Sequence, residues 1–199
     1  MTLTLFAISG VGALCLGTIV AAMRISPIVG LSRAAAVYTE ILRNTPLTLV
    51  LFFCAILLPH LGSRLPYGVA AVIGLTLYTS PFVAEALRSG INGVPIGQAE
   101  AARSLGMGFR QSLTNVILPQ AFRMVIPPLV NVLIALVKNT SVASAFYVFE
   151  LITVGKQLAN ANGNAIIAIL FAVSLFYLAV TIPLGLLSGR LEKKWVVAR

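Results

Sequence analysis

Long apolar runs alternate with short polar breaks along the whole chain. Leu3 to Met23, Asn44 to Ser63, Leu65 to Ala84 and Leu158 to Gly189 contain no Asp, Glu, Lys or Arg. Each is long enough to cross about 30 Å of hydrocarbon as a helix. A further run, fourth in chain order, covers Ile117 to Val137, with Arg123 in its first turns and Pro127-Pro128 interrupting it. The pattern predicts an all-α membrane protein, a five-transmembrane-helix bundle. Between the first two runs, Ser32 to Leu42 has helical spacing, with Ala35, Tyr38 and Ile41 on one face. Pro46 then suits a helix start, which Asn44 or Thr45 can cap.

The longest polar break is Glu100 to Gly108. Counting from Gln98, Ala101, Ala102 and Leu105 fall at helical steps and form a face of small residues, with Glu100 and Arg103 to the side. Gly106 and Gly108 are expected to stop this helix. A helix of about two turns is marginal in water, so it must dock on something: its own protein or a water-soluble partner.

Composition agrees with the run pattern. Of 199 residues, 59% are hydrophobic and 10% charged, and the mean hydropathy is +1.00, too little polar surface for a soluble domain of this size. No repeat or linker divides the chain, so residues 1–199 read as a single domain. The net charge of +9 marks topology, not nucleic-acid binding. Arg24, Arg33 and Arg43 follow the first run, Arg88, Arg103 and Arg110 the third, and Arg190, Lys193, Lys194 and Arg199 the fifth, whereas Arg64 and Lys156 fall in the opposite loops. The positive-inside rule then puts the N-terminus outside and the Glu100 loop and C-terminal tail in the cytoplasm. The first run lacks a basic leader and is read as a retained span.

Cys15 and Cys54 lie in apolar runs and read as buried small hydrophobes; His60 has no neighbouring metal ligand in sequence. There is no Gly-x-x-x-x-Gly-Lys-Ser/Thr; Gly155-Lys156-Gln157 lacks the first glycine and the hydroxyl. No nucleophile, base and orienter set appears either, so the chain reads as a non-enzyme with no cofactor of its own. An ion-coupled carrier or channel acting alone would place an acid in mid-span. Asp is absent, and Glu40, Glu85, Glu100, Glu150 and Glu192 all fall at or beyond span ends.

Three features remain at membrane depth. The uncharged run between Arg123 and Lys138 is too short to span at about 1.5 Å per residue, so one of the two lies within the bilayer. Lys138 is followed by Asn139-Thr140-Ser141. Either Lys138 snorkels outward while its neighbours cap the helix, or all four line a translocation path. Glu85 and Arg88, three apart, read as an interfacial ion pair.

The spacing Glu100-Ala101-Ala102, three residues, Gly106, nine residues, Val116-Ile117-Leu118-Pro119 resembles the EAA loop of ABC-transporter permeases, with Val116 where that family usually has Ile. Arg43-Asn44-Thr45-Pro46-Leu47 is similar to the Arg-Gly-Thr-Pro-Leu motif of polar amino acid permeases, Asn44 replacing Gly. Val94-Pro95-Ile96-Gly97-Gln98 and Lys138-Asn139-Thr140-Ser141 resemble further stretches of that family, from which Ser80-Pro81 departs. The resemblance implies a type I importer permease in the cytoplasmic membrane of a prokaryote. It implies a second permease subunit, identical or homologous, two cytoplasmic ATPase subunits that bind ATP and Mg, and an extracellular solute-binding protein that delivers a polar amino acid. The coupling loop, about 91–116, would present Glu100, Ala101, Ala102, Arg103 and Gly106 to the ATPase. Lys138, Asn139, Thr140, Ser141 and Glu85 would serve the substrate path. A membrane scaffold subunit gives no reason for the EAA spacing.

Overall fold

A computed structural model describes residues 1–62 and 65–196, with side chains as far as Lys193. Arg64 and Arg199, used above for topology, lie outside the described residues, as does the Lys194 side chain. Among the described residues the chain is all helical: α1 (Thr2–Arg24), α2 (Val29–Asn44), α3 (Leu47–His60), α4 (Tyr67–Asn92), α5 (Ile96–Ser104), α6 (Phe109–Phe146), α7 (Leu151–Ala161) and α8 (Ile166–Val196). Helices α1, α4, α6 and α8 are each long and apolar enough to cross a membrane; α2 and α3, bent by 103° at their junction, supply the fifth crossing if taken together.

That bend begins with Pro46, which forces Thr45 into extended backbone (φ −95°, ψ 133°). The side chains of Asn44 and Thr45 turn back to the carbonyls of Glu40 and Ile41 at 2.8 and 2.7 Å. They close the end of α2 and do not cap α3, contrary to the expectation from sequence. On α2 the buried positions are Ala35 and Thr39, while Ile41 faces outward. Its exposed position leaves the Ala35, Tyr38 and Ile41 face unburied at one end.

Prolines shape the other helices. Two π turns, Phe53–Leu57 and Leu113–Ile117, each stand two residues before a proline, Pro59 and Pro119. Widening the helix there carries the carbonyls of Ala55 and Asn115 away from the rings, relieving the usual clash with residue i−4. Pro127-Pro128 does not interrupt α6, which runs helically through both. Pro81 sits inside α4 and frees the carbonyl of Leu77, which the hydroxyls of Tyr38 (3.3 Å) and Ser80 (3.1 Å) take up.

The core runs along α1 and α4. A Cβ on Gly17 would lie 2.6 Å from Val83 Cβ and 2.7 Å from the Ser80 carbonyl oxygen, so only glycine allows this backbone approach between apolar helices. One apolar cluster holds Leu5, Leu51, Leu75, Leu136 and Cys54, and a second holds Val20, Ala21, Ala35 and Ala84. Cys54 is buried as expected; Cys15 is exposed. The uncharged run from Leu158 is not one helix: α7 ends at Ala161, its C-cap Asn162 bonds the Leu158 carbonyl through its side chain, and α8 starts at Ile166. Apolar residues of α8 such as Ile167, Phe171 and Leu186 stand exposed, the face a helix turns to lipid or to another apolar helix.

Candidate functional site

Helix α5 is the polar projection. It ends in a Schellman turn: Met107 N–H donates to the Ala102 carbonyl, Gly106 N–H to that of Arg103, and Gly106 takes φ +75°. Gly108 does not stop α5. It is the N-cap of α6, its N–H bonded by the Gln111 side chain at 3.1 Å. Of the small-residue face only Ala102 is buried; Ala101 is exposed and Leu105 is 82% exposed. Glu100 and Arg103 are exposed and form no ion pair with each other. With Leu105 and Phe109, each 82% exposed, they leave a mixed charged and apolar surface beside the base of α6.

A cavity of about 390 Å³ opens between α4 and α6. Tyr78, Thr79 and Phe82 line one side; Asn131, Val132, Ala135 and Asn139 line the other. Thr79 is 3% exposed, and its hydroxyl, itself buried, has no hydrogen-bond partner, a cost carried by the fold. Asn131 stands exposed on a helix long enough to cross the bilayer, where a polar side chain is tolerated facing a water-filled space. Phe82 closes one edge: Tyr78 packs on it at 5.4 Å between centroids, and the Arg43 guanidinium lies 5.7 Å from its ring centroid.

Of the residues expected to serve a path, only Asn139 reaches this cavity. Ser141 donates to the Lys138 carbonyl and the fully buried Thr140 to that of Val137, both at 2.6 Å, while Lys138 is exposed. Glu85 lies one turn beyond the cavity wall, held by Arg88, whose Nε is 3.2 Å from both carboxylate oxygens. This is the one ion pair among the described residues. Sequence reasoning missed Thr79, Phe82 and Asn131. The signal was there in part, since Asn131, Ala135 and Asn139 recur every four residues along an otherwise apolar helix.

Four helices long and apolar enough to cross a membrane, a bent pair that makes a fifth crossing if counted as one, and a lateral cavity between two of them describe a multi-pass membrane protein. The model of the binding-protein-dependent transport system inner membrane component family matches residues 13–197, and the chain belongs to that family. It is 42% identical to the glutamate transport system permease protein GluC of Corynebacterium efficiens, covering 100% of this chain and 92% of that one. It is 40% identical to the probable glutamine ABC transporter permease protein GlnM of Bacillus subtilis, over 97% and 89% of the two chains. Among solved structures, an amino acid ABC transporter crystallised with histidines superposes with TM-score 0.89 at 29% identity, covering 98% and 90%. A MetNI methionine ABC transporter chain has TM-score 0.70 at 22% identity and shares the fold. The chain is thus a transport component and not an enzyme.

Proposed function

We propose that this permease carries a polar amino acid across the cytoplasmic membrane, with the cavity between α4 and α6 as the place where the amino acid passes. The observation that carries this reading is the space between two apolar helices into which Asn131, Asn139 and Tyr78 bring amide and phenol groups. Neutral hydroxyls and amides of this kind complement an ammonium, a carboxylate or an amide alike. In this reading Asn139 belongs to the path, and Lys138, Thr140, Ser141 and Glu85 support it from outside the cavity.

Residues 1–199 act as one permease domain beside a second copy or a homologous permease. The loop at about 91–116 docks into a cytoplasmic ATPase, one for each permease, and those subunits hold ATP and Mg. Glu100, Ala101, Ala102, Arg103 and Gly106 form the joint. An extracellular binding protein delivers the amino acid to the opposite face. ATPase closure then moves the spans between outward and inward openings as rigid bodies. Arginine placement supports an N-terminus outside and a C-terminus inside.

The test is uptake of L-glutamate and L-glutamine by proteoliposomes holding this chain, its partner permease, the ATPase and the binding protein. Uptake that requires both ATP and the ATPase is the expected result. Uptake that continues without the ATPase, driven by an ion gradient, would overturn the assignment in favour of a secondary carrier.

A further inference from the structure

The last stretch of α6, Thr140–Phe146, tightens into a 3-10 helix. The chain then turns at Tyr147 with left-handed backbone (φ 58°), a conformation that a bulky residue keeps only where its surroundings impose it. Ala143, Phe146 and Val148 are buried in the apolar cluster with Leu5 of α1, Leu51 of α3 and Leu75 of α4, and Tyr78 of the cavity wall packs against that cluster. Tyr147 itself stays on the surface, its ring centroid 5.2 Å from that of Tyr67, the first residue of α4. The far end of the segment is fastened by Glu150, the one charged side chain buried among the described residues. Its carboxylate accepts from Thr153 N–H at 3.0 Å, from the Tyr177 hydroxyl of α8 at 3.0 Å and from the Thr2 hydroxyl of α1 at 3.3 Å. Thr153 also donates its hydroxyl to the Val148 carbonyl at 2.8 Å. Among the described residues no cation lies within ion-pair distance of this carboxylate.

We infer that residues 140–150 form the outer gate of the passage, shut in this structure. The segment starts directly after Asn139, which lines the cavity, and reaches α1 and α8 at the end of the bundle away from α5. Its buried side chains fill the space between α1, α3 and α4 at that end, so the segment must lift before an amino acid can enter there. Glu150 is the latch. Closed, its three donors satisfy the carboxylate; partly opened, they would leave a buried charge without partners, so intermediate positions are disfavoured and the gate has two states. Tyr147 is the hinge, since lifting releases the strain of its left-handed backbone. This inference rests on the reading of the cavity as the place where the amino acid passes.

The experiment uses the complete reconstituted transporter, with L-glutamate and L-glutamine as probes. In a Cys15→Ser background, which leaves only the buried Cys54, Tyr67→Cys and Tyr147→Cys are joined by a short bifunctional thiol reagent that dithiothreitol cleaves. The bridge should cut uptake by about tenfold or more, and cleavage should restore it. Uptake unchanged by the bridge overturns the gate, because a fixed wall loses nothing by a second link to its neighbour. Where the double-cysteine protein does not assemble, Tyr177→Phe decides instead. It keeps the ring and removes one donor to the latch, so ATP hydrolysis without amino acid should rise about tenfold, the worth of one hydrogen bond to a charged group. The rise follows because outer opening and ATPase closure belong to one rigid-body motion, and an unchanged basal rate would then sink the gate. Asn131→Leu is run alongside: if it weakens uptake while the bridge changes nothing, only the gate fails. If neither lowers uptake, the cavity reading fails with it.

Discussion

Tyr38 and Ser80 meet hydroxyl to hydroxyl at 2.7 Å, across the interface of α2 and α4, directly over the Leu77 carbonyl that Pro81 leaves without a backbone donor. A proline inside a spanning helix exposes one acceptor to hydrocarbon, and here a neighbouring helix supplies the missing donor. Tyr38→Phe should therefore lower stability by about 1–2 kcal/mol. In a Pro81→Ala background, where residue 81 regains its N–H, the same substitution should cost less than half as much. Unfolding titrations in mixed micelles read this out, and equal costs in both backgrounds would disprove the link between Tyr38 and the proline.

Gly17 should tolerate no side chain. Gly17→Ala forces a methyl against Val83 and the Ser80 carbonyl oxygen, and the expected loss is about 1–3 kcal/mol from overpacking. Adding Val83→Ala should recover part of it, because the carbonyl contact is backbone and persists. Thermal midpoints of the purified protein check both variants.

On the projecting helix, Gly106→Val puts a β-branched residue at φ +75°, at a cost of about 1–3 kcal/mol to a turn outside the spans. Membrane insertion should be normal and transport lost. Glu100→Lys should leave the fold untouched, since Glu100 is exposed and unpaired, and should abolish uptake with the ATPase present. Normal uptake by both variants would remove α5 from the coupling joint.

Thr79→Val is nearly isosteric and deletes a buried hydroxyl that bonds to nothing in the protein. Stability should stay level or rise by about 1 kcal/mol, since the burial penalty disappears, with uptake unchanged. A clear loss of stability would show that the hydroxyl has a partner after all. Asn131→Leu, whose exposed amide lines the cavity, should weaken uptake several-fold.

Four of the five expected spans were legible because hydrocarbon demands long uncharged runs; the second run holds only Leu47–His60, which makes a crossing only together with α2. Their limits were less so. The last uncharged run starts at Leu158, and no charge marks where α7 stops; only the asparagines Asn160, Asn162 and Asn164 signal a turn before the span, and Asn162 bonds back to Leu158 there. Cap direction at Asn44 and Thr45 was invisible in the same sense: both side chains suit either neighbouring helix, and the carbonyls of Glu40 and Ile41 were nearer. The short helix ended by Gly106 stands where the sequence placed it, although Leu105 turns outward where helical steps grouped it with Ala102. The cavity was legible only at Asn139. Whether a threonine such as Thr79 lacks a partner depends on helices packed against it, and the burial of Glu150 depends on Thr2, 148 residues away.

Helix α6 gives the bundle its mechanics. It starts beside the exposed projection at Phe109, passes the cavity, and ends at Phe146, an unbroken run of 38 residues and roughly 55 Å long. In the proposed coupling, a shove at its foot would slide or roll the shaft as a whole. The cavity wall at Asn131 and Asn139 would then move with the end that the ATPase holds, with no chain of side-chain switches in between.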